Sequence, residues 1–233
     1  MLTTSTILTK LSIIIITCDT KDIGGESVSS DPTDAGVLST DIEVRAITDL
    51  FDKHSKQSQQ SQVIIFDLNS ELHEENFYSK LRYGNFGDKT LLFCTFHHDE
   101  GVKNKHQVKF NIRSIINSIS TTTLYCILDC CNVGNLDLNF KYKVLDCCGY
   151  WDIICYPVVN CYPGKSIVMI TTKQPYTHNE DGSYFTLYIV NIIKYHMSII
   201  SNIDLLTLHH FNDYGKHNIL IYTNNIKINS LML

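Results

Sequence analysis

An α/β fold, with a mostly parallel six-stranded sheet covered by helices on both faces, is predicted for this chain by three observations. Short apolar runs rich in β-branched and aromatic residues recur along it, and amphipathic stretches of helical period separate them. Two of the runs stop at residues with chemical capability: Leu91 to Phe96 before His97 and His98, and Leu124 to Leu128 before Asp129, Cys130 and Cys131. In an open parallel sheet the ligand crevice lies at the carboxyl ends of the strands. A His and a Cys at neighbouring strand ends have the arrangement of a cysteine nucleophile and its base.

The elements follow in order. Leu11 to Thr17 is a first buried strand. Its apolar run could pass for the core of a secretion signal, but it lacks a basic start and a small-residue cleavage site. Residues 19–40, rich in Asp, Gly, Ser and Pro, read as a long, mobile surface loop. A helix opens at Asp41, with Ser39, Thr40 and Asp41 as candidate caps and Ile42, Ala46, Ile47, Leu50 and Phe51 near one face. After a Ser/Gln tract, Val63 to Leu68 is strand two. A helix from about Ser70 to Leu81 follows, with Ser70 and Glu74 close to cap spacing. Strand three is Thr90 to Phe96, a helix spans about Phe110 to Ile119, and strand four is Leu124 to Leu128. Residues 132–164 have no clean period and read as an extended loop with room for a short hairpin, placed to shape a substrate groove. Ser166 to Thr172 is strand five, Tyr184 to Met197 a helix, Ile203 to Phe211 another, and Asn218 to Tyr222 strand six.

Bulk properties bound the rest. With 233 residues, 44% hydrophobic and 18% charged, residues 1–233 form one α/β domain with a substantial core. A formal charge of −5 and no basic run argue against nucleic acid as a partner. No stretch approaches the roughly 20 apolar residues of a membrane span. Nine cysteines, an odd count that includes the adjacent pairs Cys130-Cys131 and Cys147-Cys148, fit free thiols in a reducing cytosol better than a disulfide scaffold. Neither His97-His98-Asp99 nor Cys147, Cys148, Cys155 and Cys161 has the spacing of a zinc site, and Gly24-Gly25 lacks the further glycines of a dinucleotide site. His209-His210 reads as a half-exposed pair on the last helix. No metal or cofactor is expected.

The order of elements and motifs resembles the caspase-like cysteine peptidases over about residues 9 to 223. The matching features are a loop ending in Asp34-Ala35, a strand ending in His, a strand ending in Asp129-Cys130-Cys131-Asn132-Val133-Gly134, the segment Thr171-Thr172-Lys173-Gln174-Pro175, and Gly182-Ser183-Tyr184-Phe185-Thr186 at a helix start. The Cys motif is closer to the metacaspase and bacterial caspase-like pattern, with Val133 where that pattern has Ser. This resemblance implies a three-layer caspase-like fold and a cysteine endopeptidase. Cys131 would be the nucleophile and His98, rather than its neighbour His97, the base. The imidazole lowers the thiol pKa and later protonates the leaving amine. Cys130 is then a small inward-facing hydrophobe.

Where the family has Ser-Gly-His-Gly, this chain has Phe96-His97-His98-Asp99. By the resemblance the oxyanion hole uses the backbone N–H groups of Asp99 and Cys131. A side chain at position 99 restricts the backbone, and its carboxylate opposes a developing oxyanion. Losing one such donor costs about two to three orders of magnitude in rate. The rival expectation is therefore an inactive homologue that keeps the fold as an interaction scaffold, with a homodimer formed through the sixth-strand edge.

Specificity follows from charge. The only arginines are Arg45, Arg82 and Arg113, so an Arg-lined pocket for a P1 aspartate is not expected. Asp129 matches the metacaspase position that pairs with a P1 Arg or Lys, for which a carboxylate is suited. The alternative is that it caps the turn presenting Cys131. Protein substrates are the expected partners. Residues 19–40 and 132–164, the latter with Lys141 and Lys143, are candidate self-cleavage loops. Calcium dependence is implied by the resemblance alone. The acidic stretch Asp19, Asp22, Glu26, Asp31 and Asp34 reads more simply as a solvated loop.

Overall fold

The computed structural model describes residues 11–18, 40–58, 61–95, 102–129, 142–145, 151–154, 164–172, 178–179, 182–197, 202–204, 219–224 and 230–232. The elements are β1 (Leu11–Thr17), α1 (Asp41–Ser58), β2 (Ser61–Asp67), α2 (Glu74–Tyr83), β3 (Lys89–Thr95), β4 (Val102–Lys103), β5 (Lys109–Phe110), α3 (Ile112–Ser118), β6 (Thr123–Asp129), β7 (Tyr142–Leu145), β8 (Trp151–Ile154), β9 (Ser166–Thr172), β10 (His178–Asn179), β11 (Gly182–Ser183), α4 (Tyr184–Met197), β12 (Asn202–Asp204), β13 (Ile219–Thr223) and β14 (Ser230–Met232).

All six predicted strands lie in one sheet. Its order is β2-β1-β3-β6-β9-β13-β7-β8, with β2, β1, β3, β6 and β9 mutually parallel and β13 antiparallel to β9. The alternation of side chains along a strand sorts the core into two layers. Ile14, Ile16, Leu92, Cys126 and Met169 pack with Phe77 and Leu81 of α2 and Ile115 and Ile116 of α3. Ile13, Ile15, Phe93, Tyr125 and Ile170 pack with Ile47 and Phe51 of α1 and Phe185 and Ile189 of α4. Because both faces are covered, the central strands are apolar throughout rather than alternating.

Four local expectations are corrected. The face of α1 is turned, so that Ile42 is 40% exposed whereas Glu43 is fully buried. The cause is a hydrogen bond across the fold, described below. Ser70 does not cap α2. Asp67 instead takes the Asn69 amide at 2.9 Å and starts a single 3-10 turn, the Ser70 hydroxyl donates back to the Asp67 carbonyl at 2.7 Å, and α2 begins only after His73. The predicted helix from Ile203 starts instead within β12, which pairs with β14, and residues 205–218 lie outside the described residues.

The fourth correction concerns the sheet edge. Within 132–164 the chain forms the hairpin β7–β8, and β7 pairs with β13 through Ile221↔Leu145, Tyr222↔Val144 and Thr223↔Lys143. The sixth predicted strand is thus bonded on both sides and has no free edge for a second copy. The same pairing places Lys143 in ladder backbone rather than in a loop.

Candidate active site

The site is built at the carboxyl end of the sheet. In the parallel ladder Thr17, Thr95 and Asp129 are register partners across β1, β3 and β6. His98 follows Thr95 by three residues, and Cys131 follows Asp129 by two. The two candidate segments therefore leave adjacent strands, about 4.8 Å apart, at one level of the same sheet edge. His97, His98, Asp99, Cys130 and Cys131 lie outside the described residues, as do most residues of 19–40 and 132–164.

Asp129 is described, and it is 1% exposed. Its Oδ2 accepts hydrogen bonds from the hydroxyls of Ser183 and of Thr186, the latter at 2.6 Å. Ser183 caps α4, because its Oγ accepts the Thr186 amide at 3.1 Å while donating its own proton to Asp129. The Ser183 amide donates to Oε1 of Glu43, which belongs to the first turn of α1. Four buried polar residues thus join the end of β6 to the N-termini of α1 and α4. The start of α4 supplies one amide to Glu43 and two hydroxyls to Asp129, and the positive dipole end of a helix N-terminus favours a carboxylate beside it. The Thr171 hydroxyl of β9 adds a bond to the Leu128 carbonyl at 2.9 Å.

The return of the segment carrying His98 is held separately. It re-enters the described structure at β4, and Asn104, fully buried, pins the turn that follows. Its amide nitrogen donates to the carbonyls of Leu68 at 2.7 Å and Glu71 at 2.6 Å. Its oxygen accepts the amides of His106 and Val108, both at 3.0 Å. Gln107, at φ 62°, completes the turn. Glu71 in turn takes both of its carboxylate contacts from Lys80 of α2, at 2.6 and 2.9 Å.

Asn104, Glu43 and Ser183 were not singled out from sequence as site residues. Ser183 and Thr186 carried a signal, the Gly-x-x-Phe-Thr resemblance, now with a physical content: Ser183 caps, Phe185 fills the core and Thr186 bonds Asp129. Asn104 had none, since the turn it closes on His106 and Val108 is local but its contacts with the Leu68 and Glu71 carbonyls are set by tertiary structure.

Three of the nine cysteines are described, Cys18, Cys94 and Cys126, and all are buried. Burial pushes the thiols of Cys94 and Cys126 well above the ordinary cysteine range, which leaves them protonated and unreactive. No group of three or more His, Cys, Asp and Glu suited to a metal ion occurs among the described residues. No helix among them is long and apolar enough to cross a membrane.

With this geometry in place, the chain can be compared with solved structures. It is similar to the crystal structure of caspase-1 from Spodoptera frugiperda, with a TM-score of 0.51 and 12% identity over 91% of this chain and 85% of that one. The three-layer architecture and this likeness define a caspase-like fold. At such identity the likeness speaks to the fold alone. No protein-family model matches the sequence, and no curated protein matches it.

Proposed function

We propose that the chain is a caspase-like cysteine endopeptidase, of the metacaspase or bacterial caspase-like branch, in which Cys131 is the nucleophile and His98 the base. The observation that carries this reading is the register partnership of Thr95 and Asp129 on adjacent parallel strands of a caspase-like sheet, from which the His and Cys segments both depart. His98 takes the thiol proton, the thiolate attacks the scissile carbonyl, and the backbone N–H groups of Cys131 and Asp99 receive the oxyanion. The imidazolium then protonates the leaving amine, and water activated by the same imidazole hydrolyses the acyl-enzyme. A basic P1 residue is the finer preference that the resemblance implies.

The replacement of the glycines around the base by His97 and Asp99 favours a second reading, a caspase-like interaction module without turnover. Hydrolysis of fluorogenic peptides with Arg, Lys or Asp at P1, under reducing conditions and with and without calcium, separates the two. The peptidase reading expects turnover that Cys131→Ala and His98→Ala abolish and His97→Ala preserves. Loss in His97→Ala alone moves the base to His97. No turnover with any peptide, together with a Cys131 thiol no more reactive than an ordinary exposed cysteine, selects the interaction module.

A further inference from the structure

We infer that Asp129 is a positioning residue for Cys131, held by Ser183 and Thr186 as a strut between the nucleophile's strand and the start of α4. This deepens the reading of Cys131 as a reactive thiol and rests on it. Asp129 is the last residue of β6, so the direction in which the chain leaves toward Cys131 is set at its backbone. Its carboxylate turns to the α1/α4 face, as Tyr125 and Ile127 before it on the same strand do. There Oδ2 receives two hydroxyl protons, and Ser183 is itself fixed by Glu43 through its amide and by Thr186 through its hydroxyl.

Desolvating a carboxylate costs several kcal/mol, about what a charge-assisted bond or two returns, so packing alone gives no reason to place Asp129 and Glu43 here. What the arrangement does supply is a fixed exit from β6. Reactive geometry is sensitive at this level: a displacement of about 1 Å can cost about 100-fold in rate. A carboxylate placed to bind a P1 guanidinium would need an oxygen presented at the mouth of the crevice. At 1% exposure, with one oxygen taken by two hydroxyls of the fold, Asp129 is built as part of the frame.

The two roles separate on substitution. Asp129→Asn keeps an acceptor for Ser183 and Thr186 but removes the charge. Asp129→Ala and Ser183→Ala break the strut, and Ser183→Ala leaves the charge in place. Thr186→Val loses one bond and Thr186→Ser restores it. Two readouts apply to each variant: kcat and KM with the Arg, Lys and Asp peptides, and the rate at which iodoacetamide labels Cys131 by peptide mapping. Cys94 and Cys126 serve as protected references that report an intact core.

The strut predicts that Ser183→Ala and Asp129→Ala lower kcat and the Cys131 labelling rate by at least about tenfold at every P1, with KM little changed. Thr186→Ser should stay within about threefold of the unmodified chain, and Asp129→Asn should lose less kcat and less Cys131 labelling than Asp129→Ala at every P1. A loss in Asp129→Asn confined to Arg and Lys peptides and expressed in KM, with Ser183→Ala unaffected, overturns the inference in favour of a P1 contact. Unchanged Cys131 labelling in Ser183→Ala and Thr186→Val, with the reference thiols still protected, overturns it as well. Because labelling needs no turnover, a chain that hydrolyses nothing refutes the peptidase reading while the comparison of variants still decides the strut.

Discussion

The two ends of the parallel sheet are built from different materials. At the end where β1, β3, β6 and β9 begin, neutral side chains and one lysine close the main-chain bonds. Ser12 takes Gln62 at 2.8 Å and the Gly87 amide at 3.0 Å, Thr122 bonds the Asp88 carbonyl at 2.7 Å, and Asn224 brackets β9 through Ile167 and Lys165. Lys165 reaches across to the carbonyls of Ile116, Asn117 and Ile119, where α3 ends, at 2.9, 3.3 and 2.5 Å. A cation there answers the helix's negative end.

At the carboxyl end the closure is carried by buried Asp129, Glu43 and Asn104, which join elements more than 30 residues apart in sequence. Bonds at both ends span more than 30 residues of sequence, so the difference lies in their chemistry: neutral side chains and a lysine tie the strand starts and the end of α3 together at the first end, whereas buried carboxylates tie the starts of α1 and α4 to the end of β6 at the second. α3 runs between the two ends: Asn111 caps its start locally through the amides of Arg113 and Ser114, and Lys165 closes its end from just before β9.

Three substitutions would break or sharpen this contrast. The largest effect is expected for Asn104→Ala, which strands two carbonyls and two amides in a fully buried turn. Denaturant unfolding should register a loss of about 3–5 kcal/mol. If the carboxyl end frames the site, labelling of Cys131 should also fall at temperatures where Cys94 remains protected. Lys165→Met, at the opposite end, is expected to cost about 1–2 kcal/mol by the same measurement. There, activity and Cys131 labelling per folded molecule should be unchanged, and a drop in either would erase the division between the two ends.

The smallest effect is confined to alkaline pH. Burial pushes the Tyr78 hydroxyl, which accepts the Asn111 amide at 3.0 Å, from its ordinary 10.0 up to about 12. The folded state therefore keeps its proton where the unfolded chain has lost it. The stability this provides is complete below about pH 10 and disappears as pH rises through about 12. Tyr78→Phe should make the alkaline decline in unfolding free energy shallower than in the unmodified chain. An identical slope would place the titration elsewhere.

Legibility from sequence followed the range of the interactions. Strands β1 and β9 and helix α4 have the residue limits that their apolar runs predict, because a run buried on both faces has only one way to sit. The start of α2 was misplaced because Ser70 offers a plausible local cap, while Asp67 and the distant Asn104 claim that backbone instead. Ile42 was placed on the inner face of α1 because periodicity weighs hydrophobicity, whereas Glu43 is drawn in by a Ser183 amide 140 positions away. The hairpin β7–β8 gave no clean alternation because its partner, β13, lies far along the chain.

The sequence by itself determined the α/β class, the order of the six central strands along the chain, and the positions of His98 and Cys131 just beyond two of them. Short-range periodicity and burial suffice for each of these. Only the tertiary structure decided that the strands before His98 and Cys131 are neighbours in register, that the sixth strand's edge is occupied, and that Asp129 turns inward to Ser183 and Thr186. Each of these depends on which distant donor or strand reaches a given backbone or carboxylate first, and that pairing is settled when the layers close around the sheet.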